Sequence, residues 1–197
     1  MLTKEELTES YQNFDDGKIV NLAMNESKSL REDAIPILEN EIIKRNLDKN
    51  LLSWIKLERN FFKGNELQIL KKTIQNSECS ECGKTRNNIR GFNIHYLSAF
   101  DSNCDYNVII CESCGKHLRN KSYLKTATLG FLSFRGILTV PFYFIGELIA
   151  SFSRNKKSEQ IIEEFIFQNT GLIREYGNDG VHDLIAQHNI QQVESNS

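Results

Sequence analysis

Residues 79–116 read CSECGKTRNNIRGFNIHYLSAFDSNCDYNVIICESCGK, and the two ends of this stretch nearly repeat each other. The stretch opens with Cys79-Ser-Glu-Cys82-Gly83-Lys84 and closes with Cys111-Glu-Ser-Cys114-Gly115-Lys116. Glycine after the second cysteine favours a tight turn, because glycine takes a positive φ without the steric penalty of a Cβ. The repeat therefore predicts two matching turns, each of which presents a pair of thiols.

A Cys-x-x-Cys turn can point both of its thiols at one ion, and two such turns complete a tetrahedral shell of four sulfurs. We therefore predict one structural Zn²⁺ held by both pairs. The predicted ligands are Cys79, Cys82, Cys111 and Cys114. A closed shell of four cysteines leaves no position for water, so a catalytic metal is not expected. Redox chemistry at one pair is the alternative, but it explains neither the second pair nor the repeated Gly-Lys.

The other candidate ligands are a fifth cysteine and two histidines. Cys104 has no close partner along the sequence and is interpreted as a free thiol in a loop. His95 and His117 could replace a cysteine or donate a hydrogen bond to one, as residues around metal ligands often do. Because four cysteines already complete the shell, we interpret both as ordinary polar histidines.

The matching pairs resemble the two knuckles of a zinc ribbon, in which turns at the ends of β-hairpins clamp one metal ion. The resemblance covers about residues 77–118. It implies a metal-binding unit without implying an activity, because ribbons of this kind occur in nucleic-acid-binding, ribosomal, membrane and chaperone proteins alike.

A looser resemblance extends over residues 77–190. The order of ribbon, basic linker, Leu129-Gly130-Phe131, Thr139-x-Pro141 and amphipathic helices is similar to that of uncharacterised bacterial membrane-associated proteins that contain a zinc ribbon. This chain differs in carrying phenylalanine and leucine where such stretches often carry tryptophan. The resemblance implies contact with a membrane and no particular activity.

Helical periodicity dominates most of the remaining chain. Ile35, Leu38 and Ile42 recur at helical spacing. A helix that starts at Asp33 would place Pro36 in its first turn, where proline is tolerated. Between residues 87 and 110, β-branched and aromatic residues predict a hairpin or a small sheet. We expect an α+β fold that is mainly helical, with a small β-hairpin zinc ribbon inserted mid-chain.

These patterns divide the chain into five segments. They are an N-terminal helical module (1–76), the zinc ribbon (77–118), a basic-flanked apolar hairpin segment (119–157), C-terminal amphipathic helices (158–190) and a disordered tail (191–197). The first C-terminal helix is expected to end near Asn169-Thr170-Gly171, and the second to begin after Asn178-Asp179-Gly180.

Residues 127–153 read ATLGFLSFRGILTVPFYFIGELIASFS, in which only Arg135 and Glu147 are charged. The uncharged run 136–146 is much shorter than the ~20 apolar residues that a spanning helix needs. Basic residues flank both ends, so the segment should enter and leave a membrane from one face, as a re-entrant hairpin or an interfacial pair of helices. The residues expected to contact a membrane or a partner are Phe131, Phe134, Arg135, Phe142, Tyr143 and Phe144. A helix pair buried in the protein core explains the stretch equally well.

We do not expect an enzyme, because no Walker loop, Gly-x-Ser-x-Gly, His-Glu-x-x-His or zinc-deaminase pattern occurs. The opening MLTKEELTES has no secretory signal, which favours a cytoplasmic protein, peripheral on the inner face of the membrane. We predict a non-enzymatic zinc-binding adaptor or interaction protein at that face. Its partners would be a membrane surface or membrane protein and, through the N-terminal helices, another protein.

The alternative function is a soluble zinc-ribbon regulator that binds nucleic acid or another protein. The residues available for phosphate contacts are Lys84, Arg86, Arg90, Lys116 and Arg119. Nucleic acid is the less favoured partner, because the ribbon with its metal is nearly neutral overall.

Overall fold

The structure is a computed structural model that describes residues 3–85, 88–97, 104–129 and 134–195, except for the side chains of residues 134–137. Several predicted contact residues therefore lie outside the described residues. They are Phe131 and Arg86 as a whole, and Phe134 and Arg135 in their side chains.

The fold is α+β and mainly helical, with one antiparallel β-hairpin, which confirms the predicted fold class. In chain order, the elements are α1 (Lys4–Asn13), α2 (Asp16–Asn21), α3 (Ile35–Lys44), α4 (Asn50–Arg59), α5 (Gly64–Gln75), β1 (Ile89–Tyr96), β2 (Cys104–Cys111), α6 (Glu112–Leu129), α7 (Phe134–Ala150), α8 (Arg154–Gln168), α9 (Thr170–Tyr176) and α10 (Val181–Glu194). The chain forms two compact units. Unit 1 comprises Met1–Phe62 and Asn169–Gly177, and unit 2 comprises Lys63–Gln168 and Asn178–Ser197.

The helices of unit 1 bury the apolar face that the sequence predicts. Helix α3 begins at Ile35, two residues after the predicted start at Asp33, and Pro36 lies in its first turn as expected. Leu38 and Ile42 are buried, and Ile35 packs against them while partly exposed. The same core contains Tyr11, Ile19, Leu22, Ala23, Ala34, Ile37, Leu51 and Ile55.

An arginine side chain caps the C-terminal end of α1 in unit 1. Arg45 donates hydrogen bonds of 2.6–3.0 Å to the carbonyl oxygens of Tyr11, Gln12 and Phe14. Carbonyls at the end of a helix lack partners inside that helix, so the guanidinium satisfies groups that would otherwise need water. Glu41 of α3 holds Arg45 in place through a 3.0 Å ion pair.

Unit 2 is arranged around the hairpin. Strands β1 and β2 pair antiparallel, with Ile89 opposite Cys111 and Tyr96 opposite Cys104. This pairing confirms the predicted hairpin, although its turn (residues 98–103) lies outside the described residues. A two-stranded hairpin is marginally stable in water, so it needs neighbours on its faces and edges.

Helices cover both faces of the hairpin. A Cβ added to Gly91 of β1 would lie 2.6 Å from the Cβ of Ile161, so α8 rests directly on the strand backbone. A Cβ added to Gly115 of α6 would overlap the ring of Phe92. Because neighbouring residues of a strand point to opposite faces, α8 and α6 cover opposite faces of the hairpin.

Side chains from helices also cover the outer edge of β1. The N–H of Gly91 donates to the Oγ of Ser158 at 3.0 Å. The carbonyl oxygen of His95 accepts from the hydroxyls of Ser122 at 2.7 Å and Tyr143 at 2.8 Å. An uncovered strand edge is a template for pairing with other chains, and these hydroxyls occupy it.

The C-terminal helices follow the predicted pattern, with one addition and one correction. Helix α10 continues to Glu194, so residues 191–194 are helical and not part of a disordered tail. Helix α8 ends at Gln168, close to the predicted stop, and its apolar face is buried as expected. The short helix α9 was missed, because its seven residues are too few to show a helical period. The buried residues of α8 and α10 are Ile161, Ile162, Phe165, Ile166, Val181, Leu184, Ile185 and Asn189.

Replacing Gly115 by alanine should lower the stability relative to the same replacement at Gly146. Both glycines lie inside helices, so both variants gain the same intrinsic helix propensity, about 1 kcal/mol. Only at Gly115 does the new Cβ meet a ring, whereas Gly146 has open space around it. We expect the two variants to differ by about 1–3 kcal/mol in the free energy of unfolding, measured by denaturant titration. Equal stabilities would contradict the close packing of α6 on Phe92.

Candidate metal centre and the exposed helix

The first cysteine pair lies in a tight turn, as predicted. Glu78 and Thr85 form an isolated antiparallel bridge at its base. Within the turn, the N–H of Gly83 donates to the carbonyl oxygen of Cys79 at 2.8 Å. Gly83 has a φ of 64°, so its lack of a Cβ is required by the turn.

The second cysteine pair lies at a strand-to-helix junction, which departs from the ribbon that the sequence suggested. Cys111 is the last residue of β2, and Cys114 lies in the first turn of α6. Gly115 is therefore a helical residue, and it is needed for the close approach of Phe92. The N-terminus of α6 adds partial positive charge, which favours a thiolate at this end of the helix.

The four sulfur atoms come together in one group. All four lie within 4.8 Å of one another, and the sulfurs of Cys82 and Cys111 are 3.8 Å apart. Four sulfurs about 2.3 Å from a central ion would lie about 3.8 Å apart at the corners of a tetrahedron. Cys79 and Cys111 are buried, while Cys82 is exposed. The group can hold one metal ion with little rearrangement.

The electrostatics of the group favour a cation at its centre. Burial raises the pKa of Cys79, and burial together with hydrogen bonds to neighbouring sulfurs raises the pKa of Cys114. Burial would also raise the pKa of Cys111, but the N–H of Cys114 and the adjacent thiols lower it to about 7. Because the sulfur atoms lie within 4.8 Å of one another, a second thiolate in the group would be repelled by the first. All four cysteines can therefore be deprotonated together only when a positive ion is bound.

Asn189 of α10 joins this group to the outer edge of β2. Its side-chain oxygen accepts from the N–H of Ile109 at 2.8 Å, and its amide donates to the carbonyl oxygen of Ile109 at 2.9 Å. The same amide donates to the Oγ of Ser80, also at 2.9 Å, and Ser80 lies between the first two cysteines. Asn189 therefore replaces a neighbouring strand and tethers the first cysteine turn.

The other candidate ligands lie away from the sulfur group. Cys104 is the buried first residue of β2, so the expected position in a loop is wrong. It lies at the opposite end of β2 from Cys111, roughly 23 Å away along a strand that rises about 3.3 Å per residue. The ring of His95 contacts that of Tyr143, with centroids 5.2 Å apart. His117 is exposed on α6. Over the described part of the chain, the four cysteines are the only group of three or more potential ligands that could hold a metal.

Most of the apolar stretch lies in one helix, α7. Residues 127–129 are the end of α6, and residues 151–153 form a short 3-10 helix after α7. The expected turn does not occur between residues 134 and 150. One face of the helical run formed by α7 and the 3-10 helix 151–153 carries five large apolar side chains that are 55% to 88% exposed, and Leu148 borders this face. We call these five residues the apolar stripe. They are Leu138, Phe142, Ile145, Ile149 and Phe152, spaced by four, three, four and three residues. These side chains are exposed, whereas Val140 of α7 is buried.

The opposite face of α7 is held on unit 2 by polar contacts. Val140 is buried, and the hydroxyl of Tyr143 donates to the carbonyl oxygen of His95 at 2.8 Å. Glu147 accepts from the hydroxyl of Tyr123 at 2.7 Å. Burial, together with this hydrogen bond, raises the pKa of Tyr123 to about 12. Among the predicted contact residues, Phe142 and Phe144 are therefore exposed, whereas Tyr143 faces the hairpin.

The apolar stripe includes four residues that the sequence analysis did not select. They are Leu138, Ile145, Ile149 and Phe152. A helical period over residues 138–152 was the available signal, and the expectation of a hairpin concealed it. In the portion of the chain that is described, no helix combines the length and the hydropathy needed to cross a bilayer.

No protein-family model, curated protein or solved structure matches this chain. The four-cysteine group and the apolar stripe are therefore the features that bear most directly on function.

Replacing Asn189 by alanine should destabilise the protein and loosen the edge of β2. The N–H and C=O of Ile109 would lose their partners in a buried position, at a cost of about 1–3 kcal/mol. Amide hydrogen exchange at Ile109 should accelerate, and the melting temperature should fall. Gln187→Ala, an exposed change on the same helix, is the control and should leave both quantities unchanged. Unaltered exchange at Ile109 in the Asn189 variant would argue against the tether.

Proposed function

We propose that this chain is a non-enzymatic zinc-binding adaptor that lies on the cytoplasmic face of a membrane. Zn²⁺ bound by the four cysteines holds unit 2 together, and the apolar stripe of α7 enters the interfacial layer of the bilayer. The observation that supports the membrane contact most strongly is the exposure of all five stripe residues on a helix whose other face is anchored. Contiguous apolar surface of this kind marks a site of interaction.

Zinc is the metal that suits the sulfur group best. Soft thiolates select Zn²⁺, Cu⁺ or iron–sulfur clusters, and a compact tetrahedral set of four sulfurs suits a single Zn²⁺. When bound, the ion would neutralise the thiolates and complete a closed shell. Cys79 and Cys82 would then be tied to Cys111 and Cys114, which joins the first turn to the junction of β2 and α6. Metal-binding free energy of this kind adds to the stability of the fold.

The purified protein should contain one zinc ion per chain, and Cys82→Ser should lose most of it. Loss of one thiolate opens the shell, so the melting temperature should fall with the zinc content. Cys104→Ser is the matched control, because Cys104 lies at the far end of β2, and it should retain the metal. Metal analysis by mass spectrometry gives the content. Native protein without zinc, or equal zinc loss in both variants, would refute the proposed centre.

The apolar stripe can supply enough free energy for reversible binding to a bilayer surface. Full burial of one large apolar side chain contributes about 1.5–3 kcal/mol, so five partly exposed ones contribute on the order of 5–10 kcal/mol before ordering costs. An interfacial helix needs one apolar face and lies in the plane of the membrane, so it does not have to span the bilayer.

Basic residues near the C-terminal end of α7 favour an anionic leaflet. Lys121 is exposed on α6, the helix that packs against α7. Arg154, Lys156 and Lys157 follow the C-terminal end of α7 and are also exposed. A cation near an anionic membrane surface contributes about 1 kcal/mol, which falls off as salt is added. Charge at this end of the helix would therefore add to the free energy that the apolar stripe contributes.

Phe142→Glu should abolish binding to vesicles that contain phosphatidylglycerol without altering the fold. Phe142 is 74% exposed, so the change places a charge in the stripe and removes little packing. Ile69→Glu is the matched control, because Ile69 is an exposed apolar residue of α5. Vesicle co-sedimentation measures binding, and the melting temperature reports the fold. The membrane proposal fails if the wild type remains in the supernatant, or if Phe142→Glu sediments as the wild type does.

A further inference from the structure

A polar cleft lies in unit 2 between β1, α6 and the start of α8. It consists of two hollows of about 220 and 150 Å³ that share four lining residues. The shared residues are Gly91, Arg119, Arg154 and Ser158. The combined cleft is open to solvent and large enough for a phosphate group with its substituents.

The cleft is strongly basic. We call it the basic cleft. Its cationic residues are Arg90, Lys116, Arg119, Arg154 and Lys157. The acidic residues of the lining are Glu112 and Glu147, so five cations face two carboxylates. Lys116 pairs with Glu112 at 2.6 Å, and Arg154 lies 3.9 Å from Glu147, so each carboxylate of the lining has one cationic partner. Positive charge therefore remains in excess, in contrast to the nearly neutral ribbon considered as a whole.

Arg119 is the central residue of the basic cleft. Its guanidinium carbon lies 5.1 Å from the ring centroid of Phe92, which positions the side chain. Across residues 3–85, 88–97, 104–129 and 134–195, its guanidinium makes neither a hydrogen bond nor an ion pair. Burial lowers the pKa of Arg119, and the charge of Arg154 lowers it further. A half-buried guanidinium with five unpaired donors is suited to a bidentate oxyanion.

Ser158 offers a further donor beside Arg119. Its Oγ accepts a hydrogen bond of 3.0 Å from the N–H of Gly91, which fixes the position of the hydroxyl oxygen. A hydroxyl that accepts one hydrogen bond can still donate its own hydrogen. The guanidinium fork and this hydroxyl together match the several acceptor oxygens of a phosphate.

The basic cleft lies at the C-terminal end of the helical run that carries the apolar stripe. Ala150, Ser151 and Ser153 line the cleft, and Ile149 and Phe152 of the stripe are their neighbours in sequence on the other side of the run. A molecule with a phosphate group and acyl chains could therefore place the phosphate in the cleft while its chains reach the stripe around the end of the helix. An anionic phospholipid has this chemistry.

We propose that the basic cleft binds the phosphate of an anionic phospholipid headgroup, with Arg119 as its principal ligand. This inference rests on the proposed membrane contact and assigns it a specific headgroup site. The same side chains could in principle hold a free phosphate, so the experiment must separate a lipid from a soluble anion.

The test compares full-length, zinc-loaded wild type with Arg119→Gln and Arg90→Gln. Arg90→Gln removes a second cation of the cleft. Because Arg90 is exposed, this variant should fold normally and tests the site even if Arg119→Gln folds poorly. Lys72→Gln, an exposed change on α5, is the charge-matched control. Affinity is measured for phosphatidylcholine vesicles with and without phosphatidylglycerol. We expect Arg119→Gln to bind the anionic vesicles about tenfold more weakly, Arg90→Gln to be weakened less, and Lys72→Gln to match the wild type.

Each other outcome has a definite meaning. Equal weakening by Lys72→Gln would show unspecific attraction and overturn the site. Inorganic phosphate that binds as tightly as anionic vesicles, or duplex RNA that binds in place of vesicles, would overturn the lipid assignment. If Arg119→Gln binds anionic vesicles as the wild type does while Phe142→Glu does not, the headgroup site fails and the membrane function stands. If the wild type binds no vesicle, both proposals fail.

Discussion

Unit 2 is built around the pairing of β1 with β2. Two strands alone do not form a stable sheet in water, so this pairing needs support from the rest of the unit. Three kinds of contact supply that support. Helices α6 and α8 cover the two faces, where Gly115 and Gly91 permit close approach. Hydroxyl groups cover the edge of β1, and Asn189 covers the edge of β2. The sulfur group closes the end of the hairpin where β2 becomes α6.

Much of this arrangement could be predicted from local sequence. The four cysteines were identifiable because metal chemistry demands particular residues at short spacing, and the hairpin was identifiable from its β-branched and aromatic residues. The mainly helical remainder followed from apolar periodicity, including the position of Pro36 in the first turn of α3. These features are encoded within a few residues of one another.

The placement of the second cysteine pair could not be predicted in the same way. Residues three apart lie close together both in a tight turn and in the first turn of a helix, so Cys-x-x-Cys is compatible with either. The two glycines show the ambiguity directly. Gly83 is needed for a positive φ, whereas Gly115 is needed because Phe92 leaves no room for a Cβ. Likewise, Asn189 meets Ile109 across 80 residues of sequence, and no local pattern signals such a contact.

The two faces of helix α7 respond differently to the removal of water from the outer face. Its inner face is held by hydrogen bonds from Tyr143 and to Glu147, which do not require the outer face to be covered. Its outer face gains free energy only when it leaves water. The helix can therefore keep its place on the protein while the apolar stripe is either exposed or immersed. Binding through the stripe would require little internal rearrangement, and this limits the ordering cost that reduces affinity.

Helix α6 connects the sulfur group to the surface that carries α7. The helix begins beside Cys111 and extends for 18 residues, or about 27 Å at 1.5 Å per residue. Ser122 binds the edge of β1, and Tyr123 binds Glu147 of α7. A metal at the start of α6 would fix the orientation of the helix that supports both contacts. In our proposal, zinc binding therefore supports the membrane contact, since the ion would stabilise α6, and α6 in turn holds α7 and its apolar stripe in position.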